Sequence, residues 1–227
     1  MAKKKIYLSP ENRPAPHGPY AGYPGVYEHD VCCEIAGYYK VALERCGFEV
    51  KISEPGRSIR SGETRQAYAN KHGYDLYSTI HTNAGGGTGP TCLYAGDVGS
   101  DSYRANLMAY EELCKLYPSK RGIVDGNGYA ENNQTKMVSI YPEIAFHDAP
   151  QDAKFLVENK EVIGEALCKA VCRYFDVDYV APKEEDKPSA TGVLYRVQVG
   201  AFSQKANAEN MAKELQGKGY STVIKSE

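Results

Sequence analysis

Residues Leu76–Ala84 change character part-way along, and that change constrains the fold more than any other feature of the sequence. Leu76 to Ile80 is an apolar run of strand length. His81, Thr82 and Asn83 then bring in polar and small residues, and Gly85, Gly86 and Gly87 end the strand. In an open α/β sheet, ligands sit beyond the carboxyl ends of the strands, which is where His81 falls. A histidine that merely ends a strand as a capped polar residue would look the same locally, so its meaning depends on the rest of the chain.

The flanking segments alternate between strand and helix. Lys5 to Leu8 reads as a short buried strand, followed from Ser9 to Tyr27 by a long loop with five prolines that contains His17. Loops of that length in compact domains are usually functional or disordered. Val31, Ile35, Tyr38, Ala42 and Leu43 then form one apolar helical stripe, with Glu28 and His29 in its first turn and Gly47 placed to end it. Glu28 could serve there simply as an acid favoured by the helix dipole. Phe48 to Ile52 is a second strand. Ser61 is placed to cap a helix running to His72, before the strand at Leu76.

Downstream, Cys92 to Tyr94 is a short strand and Ser102 to Leu116 a helix carrying Leu107, Tyr110, Leu113 and Cys114 on one side. The Gly- and Asn-rich stretch Ser119 to Thr135 reads as loop. Val138 to Phe146 reads as strand interrupted at Pro142, with Glu143 in otherwise apolar company. A lone acid there is unusual, because carboxylates are seldom buried without a partner. A closing helix turns Val162, Ile163, Ala166, Leu167, Ala170, Val171 and Tyr174 inward. The pattern predicts an α/β domain with a mostly parallel sheet flanked by helices.

Residues 178–192 are charged and flanked by prolines, as in a linker. Beyond them, Leu194 to Ala201 alternates like a strand, Lys205 to Leu215 is helical and Ser221 to Lys225 is strand-like. That is one β-α-β unit, too small to bury a core alone. The expected organisation is a domain at 1–177, a linker at 178–192 and the small unit at 193–227.

A net charge of −2 and 25% charged residues give no basic surface for nucleic acid. After Lys3-Lys4-Lys5, the apolar Ile6-Tyr7-Leu8 is followed at once by Ser9-Pro10, too short for a secretory signal, and no run reaches membrane-spanning length. Seven cysteines without a CxxC pair read as reduced core residues of a chain made in the cytosol, not as a disulfide frame or metal cluster.

His17, Glu28, His81 and Glu143 remain as the chemistry-bearing set. Two histidines and a carboxylate form a common catalytic zinc set, with a fourth acid free to carry a proton. Such a site would hydrolyse an amide-type bond.

Several blocks in order then resemble one family. Ile80-His81-Thr82-Asn83-Ala84 resembles the S-I-H-x-N-A block of the zinc-dependent N-acetylmuramoyl-L-alanine amidases (the amidase-3 family). Gly25-Val26-Tyr27-Glu28 resembles its G-x-x-E element, Glu143-Ile144-Ala145-Phe146 its E-x-G-F block continuing to Asp152, and Arg65 to Asn70 its R-x-x-x-A-N helix. The family's usual opening D-P-G-H-G-G is here Ser9-Pro10-Glu11-Asn12, with Asn12 in place of the first metal histidine. This is similar to a divergent phage and clostridial branch. Tyr195 to Phe202 resembles the first strand of a SPOR domain, of which the chain would hold only the first half.

The resemblance implies Zn2+ held by His17, Glu28 and His81, with His29 or Glu11 as rivals for the first position. It implies Glu143 as the proton-carrying catalytic residue and His147, Asp148 and Asn83 as neighbours that orient the ligands. The implied activity is cleavage of peptidoglycan between N-acetylmuramic acid and L-alanine, in the manner of an endolysin or autolysin. A non-catalytic cell-wall binder and a zinc peptidase acting on stem peptides are the alternatives. Bacterial peptidoglycan is the expected partner, without nucleic acid or membrane insertion, and with self-association through the C-terminal unit open. The chain is expected to be made in the cytoplasm and to reach the wall after lysis or non-classical release.

Overall fold

The computed structural model describes residues 3–11, 19–53, 63–183, 199–217, 222 and 224. They fall into two compact units, Met1–Pro182 and Lys183–Glu227.

The first unit is built on a seven-stranded sheet. β1 (Lys5–Pro10) leads through α1 (Glu28–Arg45) to β2 (Glu49–Ile52), and α2 (Arg65–His72) leads to β3 (Leu76–Asn83). β4 (Thr91–Tyr94), α3 (Asp101–Leu116), β5 (Ile123–Asp125), α4 (Ala130–Asn133), β6 (Val138–Ile140) and β7 (Pro142–Phe146) follow, and α5 (Pro150–Glu158) and α6 (Lys160–Phe175) close the unit. The strand order is β2-β1-β3-β7-β4-β5, with β6 also pairing with β3. All pairs are parallel except β4 with β7. The expected mostly parallel sheet is therefore present, with one antiparallel pairing.

Side-chain alternation sorts the strands between two faces. Ile6 and Leu8 of β1 and Leu76 and Ile80 of β3 join the main core with Val31, Ile35, Tyr39 and Leu43 of α1. Tyr7 and Tyr77 point the other way and pack with Tyr68 and Ala69 of α2. His81, four residues beyond Tyr77, continues that second face. α1 and α3 both pack on α6. Gly164 makes the first contact close: a Cβ there would lie 2.7 Å from the Tyr39 nitrogen.

Several elements differ from their sequence expectation. Ser61 lies outside the described residues; α2 is capped by Thr64, whose Oγ1 accepts from the Ala67 N–H at 3.1 Å. α3 buries Ser102, Ala105, Asn106, Ala109, Glu112 and Leu113, whereas Leu107, Tyr110 and Cys114 are only partly buried. Small residues let that face approach closely, and a buried hydrogen-bond network fixes it. In α6, Val162 is 44% exposed, because it lies about 100° around the helix from Ile163 at the edge of the buried stripe. The stretch 119–135, expected as loop, contains β5 and α4. Pro142 divides the last strand as expected, into β6 and β7. Gly47 (φ 93°) follows α1 as expected.

Asn106 closes the gap between β6 and β7. Its Nδ2 donates to the Ser102 and Ser139 carbonyls, both at 2.9 Å, and its Oδ1 accepts from the Tyr141 N–H at 2.8 Å. The chain just before Pro142 thus keeps its backbone groups paired while the strand changes partners. In the second unit, α7 (Lys205–Gly217) is the described helix, matching the expected one. The strand expected at 194–201 lies mostly outside the described residues, and Val199–Ala201 carry no strand assignment; the strand expected at 221–225 lies largely outside them too. Among the described residues, no helix is long and apolar enough to cross a membrane.

Asn106→Leu removes these bonds and strands the buried Tyr141 N–H, while the Ser139 carbonyl keeps its bond from Ser102 Oγ. We expect it to destabilise the first unit by roughly 2–4 kcal/mol, measured by urea unfolding.

Candidate metal centre

The site forms where the carboxyl ends of β1, β3 and β7 meet. Pro10 of β1 pairs with Ile80 of β3, so Glu11 emerges beside His81, and its own N–H donates to the Ile80 carbonyl at 3.0 Å. Glu143 of β7 pairs with His81. The crossover from β1 returns the chain to the same edge at the start of α1, where Glu28 stands in the first turn. Glu28 does not cap its own helix, which lacks a side-chain cap. Its Oε1 instead accepts from the Thr82 N–H at 2.8 Å.

The carboxylates converge on one imidazole. Glu11 Oε2 lies 3.2 Å and Glu28 Oε1 3.4 Å from His81 Nδ1. All three residues are buried, and their donor atoms lie within 4.8 Å of one another. Oxygen and nitrogen ligands held at about 2.0–2.1 Å around a tetrahedral ion lie about 3.3 Å apart, so the spacing fits a small divalent cation. The electrostatics fit as well. Glu11, Glu28 and Glu143 line one cleft with His81 and His147, three carboxyl groups to two imidazoles. Glu143 Oε2 is buried and, among the described residues, has no hydrogen-bond partner. Burial, reinforced by the Glu28 and Glu11 charges, pushes the Glu143 carboxyl up to about 7 although His81 opposes the shift. Burial disfavours the charged His81 ring, but its bonds to Glu11, Glu131 and Glu28 outweigh this and raise it well above its ordinary value.

Glu131, on α4, is the partner that sequence reading missed. Its Oε2 lies 3.3 Å from His81 Nε2, on the far side of the ring from Glu11 and Glu28. Its Oε1 accepts from Ser9 Oγ and Tyr77 Oη, both at 2.7 Å. Burial works against its charge, yet the bonds from His81, Ser9 and Tyr77 keep its carboxyl below the usual range. A ring nitrogen bonded to a carboxylate behind a ligating histidine fixes both tautomer and orientation. Glu131 lies in a Gly- and Asn-rich stretch without apolar periodicity, so nothing local distinguishes it.

The Arg65–Asn70 segment supports this arrangement from below. Arg65 donates to Ser9 Oγ at 2.9 Å and to the Pro10 carbonyl, bracing the end of β1. Asn70 donates to the Gln134 carbonyl and accepts from the Lys136 N–H, both at 2.7 Å, pinning the chain that follows α4.

The remaining candidates take distinct places. His17 lies outside the described residues. His29 Nδ1 bonds to the Glu11 carbonyl at 2.7 Å and does not join the carboxylate–imidazole group. His147 stacks on Tyr20 and bonds Thr82 Oγ1 at 2.9 Å, which links it to Glu28 through Thr82. Asp148 accepts from the Gly85 and Gly86 N–H groups, and Asn83 Oδ1 from the Ala84 N–H, both shaping the glycine loop. Asp152, fully buried, accepts from Thr88, Gly89, Tyr117 and Phe146, tying that loop to β7 and α5. Tyr141 stacks on His81 at 5.0 Å, and the half-exposed Tyr129 packs beside it at the cleft mouth.

Residues 15–173 match the family described as N-acetylmuramoyl-L-alanine amidase, and residues 191–227 match the SPOR domain. Glu11 lies just ahead of the first match. A sporulation-specific N-acetylmuramoyl-L-alanine amidase of Bacillus subtilis is 27% identical over 226 residues, covering 97% of this chain and 84% of the relative. Among solved structures, an N-acetylmuramoyl-L-alanine amidase from Clostridium difficile 630 superposes with a TM-score of 0.64 at 20% identity, covering 77% of this chain and 97% of the other. One from Nostoc punctiforme gives 0.67 at 17% identity, covering 77% and 98%. These structures share the fold of the first unit.

Glu131→Gln removes the charge behind His81 while keeping its shape. Zn2+ affinity, measured by competition with a chromophoric chelator, should weaken about 10–100-fold. Unchanged affinity would mean that the ring is oriented without Glu131.

Proposed function

Since the chain belongs to the N-acetylmuramoyl-L-alanine amidase family, we propose that it hydrolyses the amide bond between N-acetylmuramic acid and L-alanine in peptidoglycan. The observation that carries this reading is the convergence of Glu11 and Glu28 on His81, with Glu143 paired beside them. Glu11, Glu28 and His81 would hold a zinc ion. Bound there, zinc would polarise the scissile carbonyl and make water more acidic.

The protein's own groups supply positioning and proton transfer. Glu131 orients His81, and Thr82 holds Glu28 through its backbone N–H. Glu143 takes a proton from the attacking water and returns it to the alanine nitrogen as the C–N bond breaks. A carboxyl pushed up to about 7 suits both steps near neutral pH. Tyr141 and Tyr129 form an aromatic wall along the cleft against which the substrate would lie.

The domain division follows the same reading: the amidase domain at 1–177, a linker at 178–192, and a partial SPOR unit at 193–227 that would bind peptidoglycan glycan.

Zinc content and release of peptides with free alanine amino termini test the proposal together. Glu143→Gln should retain about one zinc per chain and lower turnover by roughly 10²–10⁴-fold. Near-normal turnover would remove Glu143 from the mechanism. For the first ligand, Glu11→Gln should lose zinc and His17→Ala keep it; the reverse result assigns the position to His17. A wild-type chain that takes up no zinc on reconstitution and releases no peptides would favour a cell-wall binder.

A further inference from the structure

A second cluster of ligand-type side chains lies at the opposite end of α1 from Glu28. Cys46 caps the C-terminus of α1, and Cys168 and Cys172 stand one turn apart on α6. The three sulfurs lie within 4.8 Å of one another, and all three residues are buried. Cys46 Sγ is 3.7 Å from Cys168 Sγ, which is 4.0 Å from Cys172 Sγ. Thiolates bound at about 2.3 Å to one ion lie about 3.8 Å apart in a tetrahedral site and about 4.0 Å apart in a trigonal one. The sulfurs are already spaced to share a single ion.

A backbone N–H and a guanidinium border the cluster. The Val180 N–H donates to Cys46 Sγ at 3.3 Å. Arg45, held by Glu165 at 2.6 Å and by the Val180 carbonyl at 2.8 Å, keeps a guanidinium at the edge of the cluster. Among the described residues, no fourth His, Cys, Asp or Glu donor joins the group.

We propose that Cys46, Cys168 and Cys172 form a thiolate site for one cuprous ion, separate from the carboxylate–imidazole centre. Three soft sulfur donors without a hard fourth ligand favour Cu+ over ions that require four ligands. Binding displaces the thiol protons to solvent, with no change in oxidation state. The bound ion ties the C-terminal end of α1 to α6.

The test uses the full reduced chain under anaerobic conditions, titrated with Cu+ held by a coloured chelator such as bicinchoninate. One Cu+ per chain should be withdrawn, and copper-edge X-ray absorption on the wild-type complex should show three sulfur neighbours. Cys46→Ser and Cys172→Ser should each weaken withdrawal at least about 100-fold, with Cys114→Ser unchanged. Because the absorption measurement uses the wild type, a variant that fails to fold does not decide the matter. Failure to compete with the chelator, or a copper shell of nitrogen and oxygen, overturns the proposal. So does a Cys46–Cys168 disulfide that, once reduced, still takes up no copper.

Discussion

The parallel pairing of β1 with β3 is the constraint on which the site depends. The Pro10–Ile80 register delivers Glu11 and His81 side by side at one sheet edge, and the return through α1 brings Glu28 to meet them. A one-residue slip would turn every side chain of β1 to the opposite face and separate the ligands. The same register places Ile6 and Leu8 in the main core. The burial that stabilises the sheet therefore also sets the geometry of the site.

Much of the chain around the sheet edge is irregular, and buried polar side chains hold it. Arg65 braces the end of β1, Asn70 pins the chain after α4, Asn106 bridges the break before Pro142, and Asp152 gathers four donors around the glycine loop. Each replaces backbone pairing where a strand or helix has ended, so that few buried groups are left unpaired. The ring of His81 sits at the centre of this scaffold, with acids on both sides. The gathered carboxylates and the ring offer donors that could hold a metal ion. Glu143, left with an unpartnered buried oxygen and a raised carboxyl, is poised for proton transfer beside it.

By itself, the sequence determined the layered α/β plan, the identity of His81, Glu28 and Glu143 as the unusual polar residues at element ends, and the division near residue 180. Those features are local: apolar periodicity, glycine and proline punctuation, and acids in apolar company act over a few residues. Only the tertiary structure decided that Glu11 stands beside His81, that Glu131 lies behind it, and that Cys46 meets Cys168 and Cys172. In the sequence these partners are 70, 50 and 122 residues apart or more, and no local signal links them. Contact between them follows from strand register and helix packing, which depend on the whole sheet closing at once.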